Sequence, residues 1–250
     1  MSDTTDVTTP AAATPERDGD RPDRPTSPQS CIPTRDLVRL TQGFYFIFWG
    51  LLLAVVMGTQ LLVASELYAV TELFLPAGVL ATLVGSWRLY QARSIGQRWR
   101  TRAGWTLVLA VLMTYFCTFF YMWRRVPTNV YLLGNALAFP GTAIVYMIML
   151  NRAVAALAIV LDRRELLLES RLFSVSNVGF LLVPFAGTLI YLGIASALRQ
   201  STMLIELEYL LARSNLIVAI LLLLPFSLTL SLAWVAKDAT LRELMASNRS

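Results

Sequence analysis

Six apolar runs, each close to 20 residues long, alternate with short polar stretches along this chain. They cover 43–64, 73–90, 104–123, 130–150, 173–198 and 214–236. As a helix, 20 residues rise about 30 Å, the thickness of a bilayer's hydrocarbon core. The pattern predicts an all-α fold: a polytopic membrane protein whose six helices form a transmembrane bundle. The second run is the weakest, diluted by Thr82, Ser86 and Arg88. Arg88 lies near its end and can carry its guanidinium to the interface on its aliphatic stem.

The polar stretches set the domain plan. Residues 1–34 are rich in Pro, Thr, Asp and Arg and hold no apolar run. Such a segment cannot bury enough surface to offset chain entropy, so a disordered cytoplasmic tail is expected there. With no apolar segment of signal-peptide type in it, the first span is expected to serve as the targeting signal. Residues 35–236 form the spanning domain, opened by an amphiphilic lead-in at 34–41, and 237–250 form a short charged cytoplasmic tail. The leucines of 199–213 are spaced as on one helix face, which predicts a helix lying flat on the outer surface. No Gly or Pro interrupts 142–178. The fourth helix is therefore expected to run on through 151–171, as an amphipathic cytoplasmic extension or bent along the inner surface, with Glu165 and Glu169 paired to arginines one turn away.

Charge orients the plan. The stretch Arg88–Arg102 carries Arg88, Arg93, Arg98, Arg100 and Arg102 and no acid. Guanidinium groups between two spans resist translocation, so this loop and both termini are expected in the cytoplasm, with the bundle in the plasma (inner) membrane. All but four of the 21 basic residues then lie inside; the exceptions are Arg124, Arg125, Arg199 and Arg213. Removing the weak second span would place the two most arginine-rich loops on opposite sides. The net charge of +5 thus points to anionic head groups on the inner face rather than to nucleic acid.

Composition narrows the chemistry. The chain is 56% hydrophobic and 15% charged, against about 45–50% and 25% for a soluble domain. Histidine is absent, which removes the commonest metal ligand and proton shuttle and any serine or cysteine triad built on it. Cys31 and Cys117 fall at different levels and show no metal-ligand spacing. No phosphate-cradling glycine loop is present, and no Asp or Glu lies well inside a span, against a proton- or sodium-coupled pump. Neither catalytic residues nor a cofactor or metal is expected.

Two sets of candidate residues remain. Arg93, Arg98, Arg100, Arg102, Arg163 and Arg164 are placed to contact lipid or a partner on the inner face. Asn135, Pro140, Asn177, Pro184, Asn215 and Pro225 could line a substrate path, since prolines free backbone carbonyls inside a membrane. Small-residue stripes at Ala77, Ala81 and Gly85, and at Gly134, Ala138 and Thr142, suit close helix approach. The expected role is a non-enzymatic scaffold, assembly or regulatory subunit, in contact with membrane lipids and with a membrane-protein partner or a second copy of itself. The alternative is a facilitative transporter or channel for a small solute using helices four to six. A polar cavity lined by Asn135, Asn177 or Asn215 would favour transport; a solid centre with a lipid-facing groove would favour the scaffold.

Overall fold

The computed structural model describes residues 32–63, 68–126, 129–197 and 216–247. These are helical, and no strand occurs among them. The helices are α1 (Thr34–Val63), α2 (Tyr68–Gln91), α3 (Gln97–Arg125), α4 (Val130–Val160), α5 (Arg164–Asn177), α6 (Val183–Ala197) and α7 (Leu216–Ser247), with a π-helical turn at Val178–Leu182 between α5 and α6. Among the described residues four stretches are long and apolar enough to cross a membrane: 34–57, 97–123, 130–160 and 164–190. The flat helix expected over 199–213, and Asn215, lie outside the described residues.

Neighbouring helices run antiparallel. Gly43 and Gly50 of α1 meet Gly85 and Gly78 of α2. Arg102 and Phe119 of α3 meet Arg152 and Tyr131 of α4. Thr41 and Phe48 of α1 meet Thr240 and Trp234 of α7. Contacts close a ring of α1, α2, α3, α4 and α7, with α5 seated against α4 and α7. The larger core holds Leu37, Phe44, Trp99, Tyr146, Met147 and Leu157; a smaller one holds Leu75, Val79, Met113 and Cys117.

The α1–α2 pair is the tightest because glycines seven residues apart face each other. A Cβ on Gly85 would sit 2.7 Å from the Gly43 carbonyl oxygen, and one on Gly50 2.7 Å from that of Gly78. Backbone meets backbone, as small residues allow in membrane bundles. The face differs from the expected stripe. Gly85 belongs to it, but Ala77 is exposed and its place is taken by Gly78 and Thr82. Likewise Gly134 on α4 faces open space, while Gly141 is the residue under Phe185.

The stretch 151–171 corrects the expectation more sharply. α4 extends ten residues beyond Leu150, yet the extension is not a surface amphipath. Asn151, Ala153, Val154, Ala156, Leu157 and Ala158 are all buried. The helix then stops without Gly or Pro. Asp162 takes the left-handed conformation at φ 50, the Arg163 N–H donates to Ala158 O at 3.0 Å and the Asp162 N–H to Ile159 O at 3.4 Å. This is a Schellman end with Asp where Gly is usual. Chain reversal lets α5 return along α4, so the helix leading into the fifth apolar run begins at Arg164. Glu165 and Glu169 are exposed there, with no ion pair to Arg among the described residues.

One end of the bundle therefore gathers the start of α1, the α2–α3 loop, the end of α4, the start of α5 and the end of α7. Arg35, Arg39, Arg93, Arg98, Arg100, Arg102, Arg152, Arg163, Arg164, Arg171, Lys237 and Arg242 all sit at this end.

Candidate functional site

The α2–α3 loop, residues 92–96, is the centre of this basic end. Its course is imposed from α1. Asp36, 8% exposed, accepts from the Ser94 N–H at 3.1 Å and from the Ser94 hydroxyl at 2.5 Å. Arg39, one turn on, donates to the Gln91 carbonyl oxygen at 3.1 Å and to Asp36 at 3.3 Å. The buried Trp99 indole donates to Leu89 O at 3.3 Å. A guanidinium and an indole thus satisfy last-turn carbonyls of α2, where a cation also suits the helix dipole. Burial alone would raise the Asp36 carboxyl. The Ser94 hydroxyl and N–H, then Arg39, outweigh it and hold the group below its ordinary range. Gly96 closes the loop at φ 124, open to glycine and strained for any other residue.

α3 starts directly after Gly96, with no side-chain cap and no acid in its first turn. Beside this start lies a cavity of about 710 Å³. Arg93, Gly96, Gln97, Arg100 and Thr101 line one end of it, and Gly104, Trp105, Leu107 and Val108 the other, with Tyr90 across from Gly104. A Cβ on Gly104 would stand 3.6 Å from the Tyr90 ring. The cavity is polar and cationic at the loop and apolar along α3.

The structure sorts the inner-face arginines. Arg93 and Arg100 line the cavity, exposed, with no carboxylate partner among the described residues. Arg98 is exposed outside it. Arg102 turns the other way and donates to Arg152 O at 2.7 Å, fixing α3 to α4. Arg163 and Arg164 stand exposed at the α4–α5 turn.

The candidate path residues do not converge. Asn135 donates to its own helix, to Tyr131 O at 2.9 Å. Pro140 lies within an α4 that runs on to Val160. Asn177 and Pro225 do come together through Thr229, whose hydroxyl donates to Pro225 O at 3.0 Å and accepts from Asn177 Nδ2 at 2.9 Å. Pro184 follows the π turn, in which the Val183 N–H reaches back to Val178 O; a proline has no N–H to give, and the widened turn precedes it. None of these residues lines the 710 Å³ cavity.

Sequence reading missed Asp36, Ser94 and Trp99, which shape the loop, and Tyr146, which joins α4 to α2. The Ser86 hydroxyl donates to Thr82 O, so its oxygen is free to accept from Tyr146 at 2.9 Å. It also missed Asn151, fully buried with both amide atoms unpartnered. An acid one turn before an arginine, upstream of a basic loop, was the available signal for Asp36; nothing in the sequence marked Asn151.

Comparison with protein-family models, curated proteins and solved structures finds no match to this chain. Function has to be read from its own residues.

Proposed function

We propose that the chain is a six-span integral membrane protein with a non-enzymatic role, a scaffold, assembly or regulatory subunit whose basic end faces the cytoplasm and engages anionic head groups. Both termini lie on that side, and the bundle sits in the plasma (inner) membrane. The observation that carries this reading is the fixed presentation of the arginine loop. Asp36, Arg39 and Trp99 spend their hydrogen bonds on shaping residues 89–94, and the guanidiniums of Arg93, Arg98 and Arg100 are left exposed. On this reading α2, of 24 residues, and α7, of 32, are the two further spans beside the four stretches named above. Apolar side chains fill the bundle interior around Tyr146 and Met147, which suits a scaffold.

The test is sidedness. In a chain carrying Cys31→Ser and Cys117→Ser, Arg98→Cys should resist a membrane-impermeant maleimide in intact cells and react once the cells are opened. Asn129→Cys, before α4, should react in intact cells. Reversed labelling at these two positions sinks the reading.

Asn177 supports a second reading, passive transport. Its Oδ1 is buried and unpartnered beside the π turn, and such turns recur at functional sites. Solute-dependent swelling of proteoliposomes, abolished by Asn177→Leu, would favour it.

A further inference from the structure

The cavity between α2 and the start of α3 is two-sided in a way that a merely basic surface is not. Its mouth at the loop holds two guanidiniums, Arg93 and Arg100, seven residues apart, with Gln97 between them. The nearest acid in the clamp, Asp36, is already taken by Ser94 and Arg39. Thr101 donates its hydroxyl proton to Gln97 O at 3.1 Å, so the free donors at this end are the two guanidiniums and the Gln97 amide. The uncapped first turn of α3 adds positive potential of the same sign. From Gln97 to Val108 the groove runs about 16 Å along the helix and turns apolar at Gly104. That glycine leaves the space between Tyr90 and Trp105 open. A soluble anion would satisfy the first half only. A chain of methylenes would satisfy the second half only. An amphiphile with a phosphate at one end fills both.

We propose that this cavity holds one anionic glycerophospholipid, its phosphate between Arg93 and Arg100 and an acyl chain lying along Gly104, Leu107 and Val108 against Tyr90 and Trp105. Guanidinium pairs bind phosphate oxygens with directed hydrogen bonds, and the two rings stand where amphipathic aromatics meet the headgroup level. The inference rests on the reading that this end lies at a membrane interface. It adds a single built site, distinct from the general attraction of a basic face. Hydrogen bonds to Asp36 and from Arg39 place the backbone of the α2–α3 loop before lipid arrives, so the ordering cost that remains is that of the two arginine side chains.

The experiment is native mass spectrometry of the purified full chain in detergent, titrated separately with phosphatidylglycerol and phosphatidylcholine. Wild type should retain one phosphatidylglycerol about tenfold more tightly than phosphatidylcholine. Arg93→Gln with Arg100→Gln should erase that preference. Arg98→Gln, on the same surface but outside the cavity, should leave it intact. Gly104→Leu, filling the apolar half, should weaken retention of both lipids while inorganic phosphate fails to compete. Equal losses from Arg98→Gln and from the double variant would mean diffuse surface attraction and overturn the site. So would unchanged retention in Gly104→Leu, or displacement of the lipid by inorganic phosphate. Because the titration is done in detergent, it is indifferent to sidedness. A failed site with correct maleimide labelling removes only this inference, and reversed labelling with a retained lipid sinks the proposed function and leaves the site.

Discussion

At the scale of single residues, several polar groups among the described residues fasten one helix to another. The hydroxyls of Thr82, Ser86 and Thr229 each donate to a carbonyl of their own helix and, for Ser86 and Thr229, accept from another. The proton is spent locally and the lone pair is spent across the interface, so a span gains a tie without an unsatisfied donor. Asp36 is the same idea at the basic end, with an ionised acceptor. Because its carboxyl is held below the ordinary range, the stability it lends is full above about pH 3.9, the ordinary aspartate value, and is lost as pH falls through the lowered folded value. Replacing it tests the clamp at neutral pH. Asp36→Asn keeps the shape and loses the charge; a buried charge-assisted bond of this kind is worth about 1.5–3 kcal/mol. The variant should be cut by trypsin at Arg93 and Arg98 in detergent while wild type resists, because cleavage needs the loop to leave the bundle. Equal resistance of the two proteins would show that Ser94 is held by something other than this carboxylate.

At the scale of elements, the α1–α2 pair depends on what is missing from it. Gly50, Gly78 and Gly85 admit no side chain without driving a methyl into the partner's backbone, and backbone cannot step aside as the Leu89 side chain facing Gly43 can. Gly85→Val should cost about 1–3 kcal/mol and lower the thermal midpoint of the purified protein. Gly134→Val, where nothing stands within 4 Å, should leave packing unchanged, with at most a small gain in helix propensity. A similar midpoint for the two variants would remove the glycine contact as a determinant of this fold. The same pair shows how far the sequence could be read. Hydrophobic period and length are enough to place helices, because a span must be apolar all round and about 20 residues long. They do not say which side of such a helix faces protein, because lipid and protein interior are equally apolar; Gly85 was therefore legible, and Gly78 and Thr82, which complete the face, were not. The end of α4 was hidden for a different reason. Asp162 adopts a conformation that sequence rules assign to glycine, and only the reversal that follows makes Asn151–Ala158 core rather than surface. Arg93 and Arg100 were legible as basic loop residues, but what sets Arg100 apart from Arg98 and Arg102 is the direction in which each leaves α3.

At the scale of the whole molecule, helix length sets the depth of the bundle. α4 has 31 residues and rises about 46 Å, against about 30 Å of hydrocarbon. The surplus falls at the basic end, since the tight cap by Asn129, accepting from Tyr131 and Leu132, fixes the other end close to its first apolar residues. α1 and α7 overrun at the same end, where Thr34 meets Ser247 and charged residues such as Arg35 and Arg242 are exposed. The buried apolar positions of α4 beyond Leu150 are covered by neighbouring helices, and on the proposed topology this end would be a helical base standing in water outside the bilayer. Spin labels separate the two environments. A label at Leu112, exposed on α3, should collide with oxygen and be shielded from a water-soluble nickel chelate. Labels at Glu165 and Arg242, both exposed on the base, should show the opposite. Oxygen-dominated collisions at Glu165 would pull the base up into the bilayer, expose Arg163 and Arg164 to hydrocarbon at a cost that lipid does not repay, and leave the long α4 without a physical account.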